Sequence, residues 1–222
     1  KPCELSPEEL VLALLYNRDF LPGRNGTYIA IGSVVEPFQP ELKSLTLGYI
    51  TELARLGNPL QFSTKSYLTS ADAETVRSAC NWASPLITIL TLDNAKSHAL
   101  ESLAPKPRER LSTIKNLAGA GLKPFLFLRP ILPGIVTIEE YSTLIDEAIR
   151  QGANGVVMGN LRVTRRIIDG MKRKELDVSE IVKRARLIDD LQRAIPVLDI
   201  QNKIEQKLSN LTKTYRRACC AS

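Results

Sequence analysis

Nine polar or charged residues stand where their side chains could bind one small polar ligand. Each lies shortly after an apolar run, and together they offer hydroxyls, an amide, a carboxylate, an ammonium and a guanidinium: Ser33, Glu36, Gln39, Thr64, Lys65, Ser66, Thr88, Thr91 and Arg129. Lys65 and Arg129 could bind a carboxylate, the arginine in two-pronged fashion. Glu36 could accept hydrogen bonds from ribose hydroxyls or from an amine. The set predicts a site for a ligand that carries hydroxyls, an ammonium and a carboxylate.

Several of these residues are also typical of ordinary structural roles. Glu36 precedes Pro37, as a turn residue often does, and Lys65 could lie over a helix start with its ammonium in water. Thr91 is equally typical of a strand end or a cap. Arg129 ends a nearly continuous apolar run, which favours the mouth of a site over a plain surface position.

Other kinds of chemistry have little support in the sequence. The one histidine, His98, offers no convincing Ser–His or Cys–His dyad, and no residue is assigned as a metal ligand or as the catalytic group. The four cysteines, at positions 3, 80, 219 and 220, match no zinc finger or disulfide framework and indicate a reduced, cytoplasmic compartment. No apolar run approaches the roughly 20 residues of a membrane span, so no membrane partner is expected.

The elements that would position the nine residues alternate between strands and helices. Continuous apolar runs predict strands near 28–34, 60–64, 85–91, 123–129 and 155–159. Such alternation is typical of a parallel sheet covered by helices, which binds ligands at the carboxyl ends of its strands. Because the first visible element is a helix, one strand is expected ahead of Lys1. We predict an α/β fold, a partial (βα)6 TIM-like barrel of parallel strands whose first strand is missing; a doubly wound sheet is the alternative.

Charge is distributed unevenly along the chain. Residues 1–161 carry 15 Lys and Arg against 16 Asp and Glu, whereas residues 162–222 carry 15 against 8. We predict two parts, a partial barrel over 1–160 and a basic helical C-terminal extension over 161–222. The extension's helices are predicted over about 161–173, 178–193 and 199–215. Its positive charge could neutralise nucleic-acid phosphates or form the solvated face of surface helices.

Four short motifs carry a resemblance to a known family. Residues 31–40 are Ile-Gly-Ser-Val-Val-Glu-Pro-Phe-Gln-Pro, 63–66 are Ser-Thr-Lys-Ser, 105–111 are Pro-Lys-Pro-Arg-Glu-Arg-Leu with Gly-Ala-Gly at 119–121, and 129–134 are Arg-Pro-Ile-Leu-Pro-Gly. In this order they resemble segments of the radical S-adenosylmethionine proteins related to spore photoproduct lyase, often labelled DNA repair photolyase-like. The resemblance extends over nearly the whole chain.

The resemblance implies a radical, lyase-like enzyme in the whole protein. In that family a reduced 4Fe–4S cluster donates an electron to S-adenosylmethionine, giving methionine and a 5′-deoxyadenosyl radical that abstracts hydrogen from the substrate. The family's Cys-x-x-x-Cys-x-x-Cys ligands are absent from this sequence, so they are expected upstream of Lys1, and this chain alone is expected to be inactive. An electron donor such as flavodoxin or ferredoxin is implied. The substrate is unknown, with nucleic acid as one candidate.

The resemblance also implies that the nine residues bind S-adenosylmethionine. Ser33 and Glu36 would contact its ribose or methionine part, and Lys65 with its neighbours Thr64 and Ser66 would line the methionine or substrate side. Thr88 or Thr91 and Arg129 would complete the pocket, near Gln39.

Two other classes of function stay open. The chain could be a nucleic-acid-binding module that uses the basic segment 162–222. It could also be a non-radical α/β-barrel lyase in which Lys65 forms a Schiff base with a carbonyl substrate.

Overall fold

One parallel β-sheet organises the chain, whose computed structural model describes residues 5–208 and 212–218. The strands in these residues are β1 (Ile29–Ile31), β2 (Leu60–Thr64), β3 (Ser84–Thr88), β4 (Phe125–Leu128), β5 (Gly155–Met158), β6 (Arg162–Val163), β7 (Arg193–Ala194) and β8 (Thr214–Tyr215). The sheet has the order β1-β2-β3-β4-β5-β8, and all its neighbouring strands run parallel. β6 and β7 form a separate antiparallel pair.

Helices connect the strands. Those in the described residues are α1 (Pro7–Leu15), α2 (Lys43–Ala54), α3 (Ser70–Ala79), α4 (Asn94–Leu100), α5 (Pro107–Gly119), α6 (Ile138–Arg150), α7 (Arg165–Arg173), α8 (Ser179–Arg184) and α9 (Leu198–Leu208). In the part of the chain that the structure describes, none of them combines the length and apolar content needed to cross a membrane.

Side-chain caps fix where several of the helices begin. The Ser6 hydroxyl accepts a hydrogen bond from the Glu9 amide at 3.2 Å, and the Glu9 carboxylate accepts one from the Ser6 amide at 2.7 Å. Thr69 and Thr137 begin α3 and α6 with the same reciprocal arrangement. These pairs satisfy amide groups that the first helical turn leaves without partners.

The sheet has a large apolar core on its helix-covered side and a small apolar cluster on the other. The small cluster joins the buried side chains Leu86, Phe125 and Val157 to Phe127, Tyr215 and Ala218. Phe125 and Tyr215 meet edge to face, with ring centroids 5.7 Å apart. The parallel sheet and its connecting helices confirm the predicted α/β partial barrel. The small cluster lies on the inner face of this sheet, beneath the carboxyl ends of the strands.

The C-terminal extension differs from its predicted helices. The helix expected over 178–193 ends at Arg184. Of the helix expected over 199–215, the described residues contain Leu198–Leu208, and a strand stands at 214–215. The segment expected to be helical from 161 begins with β6 instead. The cause is strand pairing: β7 pairs with β6, and the buried Ile195 donates its amide hydrogen bond to the Leu161 carbonyl at 2.7 Å.

Tyr141→Phe is expected to lower the free energy of unfolding by about 1–3 kcal/mol. The Tyr141 side chain is fully buried, and its hydroxyl accepts a hydrogen bond from the Leu132 amide at 2.8 Å. Phenylalanine leaves that amide buried without its partner. Urea unfolding measures the change, with Tyr16→Phe as the control because Tyr16 is 87% exposed. Equal stability of the two variants would contradict the assigned role.

Candidate functional site

A cavity of about 480 Å³ opens at the carboxyl ends of β1 to β4, and we call it the strand-end cavity. Leu86 and Phe127 of the inner apolar cluster form part of its lining. Of the nine predicted residues, those that line it are Ser33, Glu36, Thr64, Lys65, Thr88 and Arg129. The sheet therefore brings together side chains that are far apart in sequence, as expected for a parallel α/β fold.

The loops after β1 and β2 touch each other closely at the rim of this cavity. The Ser63 hydroxyl donates a hydrogen bond to the Gly32 carbonyl at 2.9 Å. Gly32 has φ +85°, and a Cβ atom at this position would lie 2.3 Å from the Ser63 carbonyl oxygen. Only glycine fits this contact, which directs the exposed Ser33 over the cavity.

Glu36 connects the same two loops. Its carboxylate accepts hydrogen bonds from the Phe38 amide at 3.2 Å, the Lys65 amide at 2.8 Å, the Ser66 hydroxyl at 3.1 Å and the Thr64 hydroxyl. A carboxylate has about four acceptor positions. Three of these donors share Oε1 and one reaches Oε2, so protein groups hold the Glu36 carboxylate in place while Oε2 keeps an acceptor position open.

Lys65 belongs to a row of three charges. Its Nζ lies 3.3 Å from Glu101 Oε1, and Arg110 Nη1 lies 2.5 Å from Glu101 Oε2. The Arg110 side chain is 1% exposed and also donates to the carbonyls of Thr88 and Pro105, at 3.0 and 2.8 Å. Buried Arg110 thus fixes Glu101, and Glu101 holds the half-exposed Lys65 ammonium at the cavity edge.

Arg129 supplies a cation that no carboxylate of the described residues neutralises. It is exposed and makes no ion pair or side-chain hydrogen bond with the other described residues. Its Cγ and Cδ lie across Gly159, where a Cβ atom would be only 2.6 Å from them. The loop after β5 therefore passes directly beneath this side chain, and the guanidinium remains available to an anion.

The other three predicted residues lie outside the strand-end cavity. Gln39 and Ser66 line an adjoining cavity of about 820 Å³ between the β2 loop and the α4–α5 loop. Thr91 is 2% exposed, and its hydroxyl accepts a hydrogen bond from the Asp93 amide at 3.1 Å. Thr91 is therefore a turn residue, one of the two roles that its sequence position allows, and lines neither cavity.

Glu101 and Arg110 were missed by the sequence reasoning. Arg110 had a detectable signal, because it lies on the apolar side of α5 with Leu111, Ile114 and Leu117, where an unpaired charge would be costly. Glu101 follows the short helix α4, which was not predicted, and no motif marks it. Its role depends on a tertiary contact with Lys65 that local patterns do not contain.

The described residues do not form an iron–sulfur site. Among residues 5–208 and 212–218, no group of three His, Cys, Asp or Glu could hold a metal ion. Cys80 is buried, and burial raises the pKa of its thiol, which disfavours the thiolate that iron requires. Cys3, Cys219 and Cys220 lie outside the described residues.

Sequence comparisons find distant relatives. A scan against known protein families gives no match. The chain is 27% identical over 158 residues to uncharacterized protein Rv2578c of Mycobacterium tuberculosis and to uncharacterized protein Mb2609c of Mycobacterium bovis. The match covers 69% of this chain and 46% of each relative, so the chain spans about half the length of the curated relatives it matches.

Some solved structures are similar to a larger share of this chain than the sequence relatives are. Spore photoproduct lyase complexed with dinucleoside spore photoproduct matches with TM-score 0.67 and 14% identity, over 95% of this chain and 64% of the lyase. A lyase mutant with bound AdoMet and the same dinucleoside gives TM-score 0.62 and 13% identity over the same shares. Streptococcus suis SuiB gives TM-score 0.53 and 11% identity, over 82% of this chain and 37% of that protein.

These likenesses define the fold. The chain has the α/β partial-barrel fold of the spore photoproduct lyase and SuiB structures, and the motif resemblance agrees with this fold. Of these structures, spore photoproduct lyase is similar over nearly the whole chain.

Proposed function

We propose that the whole protein is a radical S-adenosylmethionine enzyme and that the strand-end cavity of this chain binds S-adenosylmethionine. The observation that carries the proposal is the meeting of two cations, Lys65 and Arg129, with several hydroxyls around one cavity at the carboxyl ends of the strands. The similarity to a lyase structure with bound AdoMet supports it.

The donor set suits the polar groups of S-adenosylmethionine. Arg129 can bind a carboxylate through two parallel hydrogen bonds, and the Lys65 ammonium can add a third. The hydroxyls of Ser33 and Thr88 can bind the ribose, while Leu86 and Phe127 pack against apolar atoms. When bound and reduced, the cofactor supplies radical hydrogen-abstraction chemistry; these residues hold and orient it.

We assign Glu36 a positioning role in addition to the ribose or methionine contact that the resemblance implies. Its four protein donors support this role, because they come from both loops at the cavity rim. Glu36 would fix the backbone at Lys65 and so the direction of its side chain. Gln39, Ser66 and Thr91 would likewise act outside the cofactor contact.

Calorimetric titration of the whole protein with S-adenosylmethionine tests the proposal. Lys65→Ala and Arg129→Ala are each expected to weaken binding by about 10- to 100-fold, the effect of losing a charge-assisted hydrogen bond. Lys115→Ala and Arg186→Ala remove the same charges from exposed positions and are expected to leave affinity unchanged. If Lys65→Ala and Arg129→Ala bind like these controls, the assignment fails.

We also propose that the 4Fe–4S cluster is bound by cysteines upstream of Lys1. The motif resemblance supports this, because the cysteine triad of that family follows its first strand, and β1 lies at one edge of the described sheet, where a further strand could pair. Reading the coding DNA upstream of Lys1 tests it. The expected result is a strand pattern followed by Cys-x-x-x-Cys-x-x-Cys, and a reading frame without such a triad contradicts it. A flavodoxin- or ferredoxin-type protein is the proposed electron donor.

The alternative reaction through Lys65 has a specific observation against it. A Schiff base forms from a free amine. Lys65 Nζ lies 3.3 Å from Glu101, which buried Arg110 holds in place, so the side chain would have to leave this partner to attack a carbonyl. Borohydride trapping with carbonyl compounds distinguishes the two reactions, and we expect no adduct on Lys65.

A further inference from the structure

A second cavity, of about 560 Å³, adjoins the strand-end cavity, and we call it the arginine pocket. It lies between the loops after β4 and β5, helix α9 and the segment after β8. The polar residues that line it are Arg129, Asn160, Arg162, Gln201, Arg216 and Arg217. Arg129 and Ala218 line both cavities, so the two are neighbouring compartments of the same barrel mouth.

The charge of this pocket is not compensated within it. None of the described residues that line it is acidic. Arg216 pairs with Glu205 at 2.7 Å outside the lining, but Arg162 and Arg217 make no ion pair or side-chain hydrogen bond with the rest of the described chain. Elsewhere in the extension, Arg184 and Arg193 are neutralised by carboxylates. The pocket therefore concentrates free positive charge at one place.

The shape of the pocket adds to this argument. Gln201 is 5% exposed, and its side-chain amide makes no hydrogen bond with another described residue. It offers an additional donor on a rigid helix. A volume of about 560 Å³ is within the range of small-molecule sites, roughly 300–1,000 Å³. Guanidinium groups match the oxygens of a phosphate in two-pronged hydrogen bonds.

We propose that the arginine pocket binds a phosphate group of the substrate, beside the cofactor in the strand-end cavity. The proposed phosphate site rests on the residues of the pocket alone. The assignment of this phosphate to the enzyme's substrate rests on the proposed function. The phosphate can belong to a small phosphorylated molecule or to a nucleotide chain. Both sources present the same tetrahedral anion to Arg162 and Arg217.

Fluorescence titration of the 222-residue chain, without S-adenosylmethionine, tests the proposal. The probes are a labelled nucleoside monophosphate and a labelled single-stranded oligonucleotide, with pyrophosphate as competitor. Arg162→Ala and Arg217→Ala are each expected to weaken binding of the probes by about tenfold, since each removes a charge-assisted contact. Arg108→Ala removes the same charge from an exposed position on α5 and serves as the matched control.

The outcomes distinguish a small phosphorylated molecule from a nucleotide chain. They also test the phosphate site separately from the S-adenosylmethionine site. Tighter binding and a steeper salt dependence for the oligonucleotide than for the monophosphate identify a nucleotide chain, and equal values identify a small molecule. Arg162→Lys keeps the charge but loses the two-pronged geometry, so we expect intermediate affinity. If Arg162→Ala and Arg217→Ala bind like Arg108→Ala, the phosphate site is overturned. Binding of S-adenosylmethionine by the two variants is measured separately and is expected to be unchanged.

Discussion

Glu101→Ala is expected to lower the free energy of unfolding by about 3 kcal/mol, the lower end of the cost of breaking a buried ion pair. The substitution removes the carboxylate that pairs with Arg110, whose side chain is 1% exposed. Arg110 would keep its hydrogen bonds to the carbonyls of Thr88 and Pro105, but these carry no net negative charge. The buried guanidinium would then lack a counter-ion. Urea unfolding measures the loss.

Two further variants show whether the loss comes from the unpaired charge. Glu74 is exposed on α3 without an ion pair or side-chain hydrogen bond in the described residues, so Glu74→Ala is expected to change stability by less than about 0.5 kcal/mol. The double substitution Glu101→Leu with Arg110→Met removes both charges and is expected to recover most of the loss. A Glu101→Ala protein as stable as Glu74→Ala would refute this account of the three-charge row.

Gly32→Ala is expected to destabilise the fold by about 2–4 kcal/mol and to weaken binding of S-adenosylmethionine. The left-handed backbone at Gly32, with φ +85°, disfavours any side chain. The new Cβ would also lie 2.3 Å from the Ser63 carbonyl oxygen, so one of the two loops must move. That movement would break the hydrogen bond from the Ser63 hydroxyl and displace Ser33 from the cavity rim.

Gly119→Ala provides the matched control for this substitution. Gly119 lies in α5 with ordinary helical backbone, and its added Cβ would meet no atom within 4 Å. Alanine there is expected to raise stability by about 0.5–1 kcal/mol. Thermal unfolding and calorimetric titration follow both variants. If Gly32→Ala unfolds and binds like the unchanged chain, the close loop contact does not shape the site.

The sequence was sufficient to predict five of the six described strands of the sheet, β1 to β5, because their signals are local. Strand β2 has the predicted bounds, and the buried run at 84–88 is continuous and apolar except at its ends. The extension was harder, because β7 and β8 are two residues long and exist only through pairing with distant strands. Nothing in the local sequence of 178–193 contradicts the predicted helix.

The candidate site could likewise be predicted only in part. Residues that directly follow strands, such as Lys65 and Arg129, reach the cavity because parallel strands bring their carboxyl ends together. Spacing could not reveal that the Glu36 carboxylate accepts hydrogen bonds from both loops or that Glu101 holds Lys65. Both facts depend on how neighbouring loops pack.

The measurement that tests the central claim most directly is formation of 5′-deoxyadenosine by the protein expressed from its full natural reading frame. The protein is reconstituted anaerobically with iron and sulfide, reduced, and given S-adenosylmethionine. We predict 5′-deoxyadenosine and methionine in equal amounts, with formation strongly reduced in Lys65→Ala and unchanged in Lys115→Ala. The absence of 5′-deoxyadenosine from a reconstituted and reduced protein would contradict the account, whether or not Lys65 forms an adduct with a carbonyl compound.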